Sequence, residues 1–124
     1  MKKPIVTKTS EKLYQRIVDQ SEALDLIGKE LLWILTETTK LQPKPGTDLG
    51  NELVVKFFSL YKDFQKVRSD GERLVEDIVH AKLADPLIAN LYETAARLLL
   101  RKSGQGIFAQ FISVAETGDL PKRS

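Results

Sequence analysis

Cysteine is absent from the 124-residue chain, and histidine occurs only once, at His80. The lack of cysteine excludes disulfides, thiolate metal sites, iron–sulfur ligation and cysteine nucleophiles within this sequence. A single histidine also excludes a metal site built from several histidines. The G-x-S-x-G, P-loop and H-E-x-x-H motifs are missing as well. We therefore expect neither a metal nor another cofactor.

Long apolar runs are also missing. The longest is Leu31–Leu35, far short of the roughly 20 residues that cross a bilayer. The lysines at positions 2 and 3 resemble the charged start of a signal peptide, but residues 4–12 contain no apolar core to follow it. These features predict a cytoplasmic protein that does not associate with membranes.

The overall composition is that of an ordinary globular protein, with 42% hydrophobic and 29% charged residues. A chain of this length has room for one domain and little more. We expect a single helical domain over residues 1–124, with a basic N-terminal tail at 1–9 and a polar C-terminal tail at 118–124.

The apolar residues of the first third of the chain recur at alternating steps of four and three. They are Leu13, Ile17, Leu24, Ile27, Leu31, Ile34 and Leu41, with Gln20 and Thr38 in the two vacant places. This spacing puts all of them on one stripe of a helix. It predicts a first helix over about 10–41, capped by Thr9 or Ser10 and ended by the proline- and glycine-containing segment 42–46.

A second stripe with the same alternation predicts a second helix over about 48–83. Its members are Leu53, Phe57, Leu60, Phe64, Val67, Gly71, Leu74, Ile78 and Ala81. The alternation passes through Gly71 without a phase change, which favours one continuous helix with Gly71 on its inner face. The alternative is a kink at 69–71, because Ser69–Glu72 resembles a capping box. Phe57 and Phe64 lie on the stripe, so core packing is favoured over stacking on nucleic-acid bases.

Two shorter helices are predicted to follow. Asp85 and Pro86 form a typical helix start, and the third helix runs to about Ser103. Its stripe is Leu87, Ile88, Leu91, Ala95, Leu98 and Leu99. A fourth helix is expected over about 106–117. No segment alternates like a strand, so the predicted fold is all-α, with a long antiparallel α-hairpin and two shorter C-terminal helices packed against it.

The G-x-G-x-x-A sequence at 104–109 matches a dinucleotide-binding fingerprint. That fingerprint requires a preceding strand, whereas a leucine-rich helix precedes it here. We interpret it as the end of a helix followed by a tight turn.

Basic residues are concentrated at the two ends of the chain. Residues 1–12 carry four lysines against one glutamate, residues 97–124 carry five basic against two acidic residues, and the body between them carries 10 basic and 14 acidic residues. Basic ends are compatible with weak, sequence-independent contacts to nucleic-acid phosphates. The candidate residues are Lys2, Lys3, Lys8, Arg97, Arg101 and Lys102.

Arg73 and His80 are seven residues apart and therefore lie on one face of the second helix, two turns from each other. The pair resembles the R-x4-6-H signature of HEPN ribonucleases, which are small all-α bundles. The resemblance implies a metal-independent ribonuclease whose site forms across a dimer, with His80 acting on the 2′-hydroxyl proton and Arg73 holding the phosphate. The alternative is a helix surface with a histidine near its C-terminal end.

Leu26 and Trp33 lie on the face of the first helix opposite the Ile27–Ile34 stripe. Either the third and fourth helices cover them, or a partner protein or second copy does, because a helix that is apolar on two sides is buried on two sides. Together with the lack of catalytic motifs, this surplus surface favours a non-enzymatic helical interaction module, such as an adaptor, regulator or subunit of a complex. The alternatives are a nucleic-acid-associated accessory subunit and the ribonuclease.

Overall fold

The computed structural model describes residues 8–41 and 48–117. These ranges contain four helices and no strand: α1 (Lys8–Leu41), α2 (Asp48–His80), α3 (Pro86–Lys102) and α4 (Ile107–Thr117). The predicted all-α fold is confirmed, with a long α1–α2 hairpin and two shorter helices against it. Lys2 and Lys3, the 42–46 segment and the C-terminal tail lie outside the described residues.

The hairpin is antiparallel, as contacts along its length show. Arg16 near the start of α1 pairs with Asp77 near the end of α2, while Trp33 lies beside Lys56 at the opposite end. The alternating stripes meet between the two helices as predicted. Buried members of the stripes are Leu13, Leu24, Ile27, Leu31, Ile34, Leu53, Leu60, Phe64, Leu74 and Ile78.

The helix α2 continues through Gly71, so the predicted continuity is confirmed and the kink is not. Gly71 is buried against α1, where a Cβ atom would lie only 2.7 Å from Nε2 of Gln20. That side-chain nitrogen donates a 2.6 Å hydrogen bond to the backbone oxygen of Val67. A larger residue at position 71 would therefore require the Gln20 amide to move away from the α2 backbone.

Both C-terminal helices lie on the same side of the hairpin. Tyr92 of α3 contacts Tyr14 with ring centroids 6.3 Å apart, and Phe108 of α4 lies against Gly28. The start of α3 is as predicted, because the Asp85 side chain accepts a 2.9 Å bond from the backbone nitrogen of Leu87 and Pro86 follows it.

The connection between α3 and α4 has the predicted character of a helix end and turn. The buried Ser103 caps α3, and Gly106, with φ of +58°, leads into α4. A left-handed φ of this kind favours glycine. The turn leads into α4, which places Phe108 and Phe111 next to Phe64, with both ring centroids 5.3 Å from that of Phe64.

Two predicted helix ends are wrong. The helix α1 begins at Lys8 rather than about residue 10, so Thr9 and Ser10 lie within it and the basic tail is shorter than 1–9. Instead of capping the helix, Ser10 is buried, with its Oγ 3.3 Å from the Tyr92 hydroxyl. At the other end, α2 stops at His80 rather than about 83, because the chain turns toward α3.

The predicted apolar stripe of α3 is buried only in part, since Ile88, Ala95 and Leu99 are half-buried. Leu87, Leu91 and Leu98 are 65%, 59% and 56% exposed, whereas the buried residue of α3 is Ala96 on the opposite side. Besides Ala96, α3 packs against the hairpin core through Tyr92, Leu99 and Leu100. The three exposed leucines remain on the surface.

Candidate protein-interaction site

Leu26 and Trp33 lie on the side of α1 that no described helix covers. They are 58% and 50% exposed. Successive residues of a helix are separated by about 100°, which places both side chains roughly opposite Gly28, the residue that contacts α4. The alternative that α3 and α4 cover Leu26 and Trp33 is therefore wrong, because both helices lie on the other side of the hairpin.

A groove of about 560 Å³ runs between α1 and α2 on this uncovered side. The buried residues Ile34 and Leu60 form its floor, while Trp33 and the exposed Val55 form apolar parts of its walls. Leu26 lies two turns of helix before Trp33 on the same side of α1. The groove and Leu26 together make an elongated apolar surface, which we call the Trp33 face.

The Trp33 ring is held in place by a cation. The Lys56 ammonium lies 5.1 Å from the ring centroid and also pairs with Glu52, one turn earlier in α2, at 3.4 Å. A cation over an indole ring contributes roughly 0.5–1 kcal/mol at an exposed position. This contact orients one face of the ring toward α2 and leaves the rest of the ring accessible.

Two carboxylates line the same groove, Glu30 from α1 and Asp63 from α2. Neither forms an ion pair with a side chain of the described ranges, whereas the lysine in the groove is already paired. The unpaired charge of the groove is therefore negative. A ligand that fits it has an apolar part for Trp33 and Val55 and a cation for the carboxylates.

On the covered side, the end of α4 is fixed by a hydrogen bond from the Tyr61 hydroxyl to Glu116 at 3.2 Å. Burial raises the pKa of Tyr61 above its usual range, and the charge of Glu116 and the bond to it add to the rise. Arg68 has the opposite effect on that pKa. The Tyr61 hydroxyl thus donates the hydrogen bond that ties the end of α4 to α2, on the side away from the Trp33 face.

Arg73 and His80 are both exposed on α2, and His80 is its last residue. Seven residues of helix separate them by about 10 Å along the axis. The imidazole Nδ1 lies 2.7 Å from the backbone oxygen of Glu76, and Arg73 lies beside Arg16 and Asp70 in a shallow groove. The structure does not bring the two side chains into contact with each other.

We expect no metal-independent RNA cleavage by the wild-type protein. His80 is the single histidine of the sequence, and histidine is the side chain that most often acts as a general acid or base. If cleavage is found with a fluorogenic RNA in the presence of chelator, His80→Ala and Arg73→Ala are the tests. Cleavage that both variants abolish while helicity is retained would contradict a non-enzymatic role.

The basic residues proposed for phosphate contacts differ in their availability. Arg97 pairs with Glu93 at 3.1 Å, and Lys102 pairs with Asp25 at 3.3 Å. Arg101 is exposed and forms no ion pair with the described side chains. Lys8 is the first residue of α1. The three C-terminal cations lie on α3, the helix whose exposed leucines were expected to be buried.

The sequence predicts Leu26 and Trp33 as candidate residues, whereas it does not single out the α2 residues that line the same groove. Val55, Lys56 and Asp63 flank the apolar stripe of α2. Their positions in the sequence indicate only that they lie at the side of this helix. Which α1 residues they face depends on how the two helices are aligned, which the spacing within each helix does not specify.

No helix in the described residues is long and apolar enough to cross a membrane. No group of three or more histidine, aspartate or glutamate side chains in the described ranges is arranged to hold a metal ion. Comparison of the chain with protein-family models, curated proteins and solved structures finds no match.

Proposed function

We propose that this chain is a non-enzymatic helical interaction module that binds a protein segment through the Trp33 face. One observation carries the proposal: Trp33 is half-exposed in a groove of suitable size, on the side of the hairpin that α3 and α4 leave uncovered. Tryptophan in a concave setting is the side chain most often found at the energetic centre of protein interfaces.

The chemistry of the groove defines the segment that it binds. Apolar side chains of the segment pack on Trp33 and Val55, and a lysine or arginine one or two turns away pairs with Glu30 and Asp63. An amphipathic helix supplies both groups on one face, as in other helix-in-groove complexes. Opposite charges at the groove also favour productive encounter and disfavour acidic competitors.

The proposal is tested by photo-cross-linking in the native host. We expect a photoreactive phenylalanine analogue in place of Leu26 to capture a protein, and the cross-linked peptide to carry apolar residues next to a lysine or arginine. Trp33→Ala in the same chain should abolish the capture. Because Trp33 is half-exposed, its replacement should change the melting temperature little.

A matched control places the same analogue at Gln110, an exposed position on α4 away from the groove. Capture at Gln110 as strong as at Leu26, or capture at Leu26 that is indifferent to Trp33→Ala, would contradict the proposal. Protein captured only through added RNA, and lost after nuclease treatment, would instead favour the nucleic-acid-associated alternative.

A further inference from the structure

A second unpartnered apolar surface lies on α3. Leu87, Leu91 and Leu98 are all more than half exposed, and Thr94 stands between the last two. The steps from Leu87 through Leu91 and Thr94 to Leu98 are four, three and four, so the four side chains form one straight stripe. This leucine stripe extends over about three turns of helix, or roughly 16 Å.

The leucine stripe is bordered by positive charge. Arg97, Arg101 and Lys102 belong to α3, and Glu93 is the one acidic residue of that helix. The Arg101 guanidinium has no ion-pair partner among the described residues, and the pairs of Arg97 and Lys102 are solvent-exposed. Exposed pairs of this kind exchange partners at small cost, since they contribute about 0–1 kcal/mol.

The stripe therefore has the two properties that the groove of the Trp33 face requires: apolar side chains in a row and a nearby unpaired cation. We infer that the occupant of the groove is α3 of a second copy of this chain, with its leucines on Trp33 and Val55 and Arg101 beside Glu30 and Asp63. This inference rests on the proposed function and names the partner of the same site.

The two surfaces lie on opposite sides of one molecule, because α3 packs on one side of the hairpin and the groove opens on the other side. The contact between copies is consequently heterologous, with the groove of one copy on the stripe of the next. Each added copy leaves one groove and one stripe free at the ends. The average mass of the assemblies should therefore rise with protein concentration without a plateau at the dimer. Salt should weaken the association because the contact includes charge pairs.

Two variants separate the surfaces. Leu91→Glu places a carboxylate in the stripe and keeps the groove, whereas Trp33→Ala damages the groove and keeps the stripe. Both positions are exposed, so both variants should fold. In sedimentation equilibrium each variant alone should stay monomeric where the wild type associates. An equimolar mixture should recover dimers and nothing longer.

Trp33 also gives a direct signal, because it is the single tryptophan of the chain. In the mixture only the Leu91→Glu variant contains tryptophan, so all tryptophan fluorescence comes from the copy with the intact groove. Titration with Trp33→Ala should shift its emission to shorter wavelength as the stripe covers the ring. A titrant with both substitutions should give no shift, and Val54→Glu, at an exposed position outside both surfaces, should associate like the wild type.

Self-association is overturned if the wild type remains monomeric at every concentration and the mixture shows no shift. It is equally overturned if the wild type stops at a dimer that neither variant weakens. Neither result affects the cross-linking test. Capture of a different protein at Leu26 would still support the proposed function, with that protein as the occupant of the groove. Failure of both experiments would reject the Trp33 face itself.

Discussion

Replacing Phe64 with alanine is expected to lower the free energy of unfolding by about 3–5 kcal/mol. Phe64 is completely buried and stacks on Phe108, with ring planes 6° apart. It also contacts Phe111 and Tyr61, and the Arg68 guanidinium lies 5.8 Å from its ring. Alanine leaves a cavity where α2 holds α4, because both phenylalanines of α4 lose a neighbour at once.

Denaturant unfolding followed by circular dichroism measures this loss. The matched control is Phe58→Ala on the same helix, since Phe58 is half-exposed and contacts only Phe57 among the described aromatic rings. Its replacement should cost about 1 kcal/mol or less. If Phe64→Ala prevents folding, Phe64→Leu, which retains most of the volume, provides the measurable comparison. Equal losses for Phe64→Ala and Phe58→Ala would show that the α4 contact is not the main aromatic core.

Gly71→Ala is expected to destabilise the protein by up to about 2 kcal/mol, although alanine is favoured over glycine inside a helix by about 1 kcal/mol. The added Cβ atom would lie 2.7 Å from the Gln20 side-chain nitrogen and force it away from the backbone oxygen of Val67. A buried amide that loses its acceptor costs about 1–3 kcal/mol, more than the helix gains.

The sign of the Gly71 effect should reverse when Gln20 is truncated. In a Gln20→Ala background the space beside α2 is open, so Gly71→Ala should stabilise the protein by about 0.5–1 kcal/mol. Four chains, the wild type, both single variants and the double variant, give the coupling free energy from their unfolding midpoints. Additive effects would mean that Gln20 moves aside freely and that Gly71 is not needed for the approach of the two helices.

The hairpin was predictable because its signal is local and repeated. Nearly every turn of α1 and α2 contributes an apolar residue to a stripe. The unbroken phase of the α2 stripe predicted a continuous helix through Gly71 despite the capping-box pattern at Ser69–Glu72. The buried bond between Ser10 and Tyr92 was not predictable, because the two residues are 82 positions apart and meet only when α3 folds onto α1. The N-cap predicted at Ser10 failed for this reason.

The orientation of α3 shows why apolar periodicity has limits. Three leucines of its predicted stripe are exposed, whereas Ala96 is buried and Tyr92 and Leu100 pack beside it against the hairpin. The candidate interaction site also has a part that the sequence indicates and a part that it does not. Leu26 and Trp33 were evident as surplus apolar residues of one helix, whereas Glu30 and Asp63 become neighbours only through the alignment of two helices.

The interior of the described bundle consists of two hydrophobic clusters rather than one. The first joins Leu24, Ile27, Leu31, Ile34, Leu60 and Phe64 to Phe108 and Phe111 of α4. The second joins Leu13, Leu74, Val75 and Ile78 to Ala96 of α3. Between them along the hairpin lies the polar contact of Gln20 with Val67.

We expect this division to let the two ends of the hairpin open locally and independently of each other. The groove belongs to the end closed by α4, and the leucine stripe to the end closed by α3. Transient detachment of α4 would therefore loosen the walls of the groove and leave the stripe rigid. The ligand-binding half would have room to adapt its shape while the half that presents α3 keeps a fixed form.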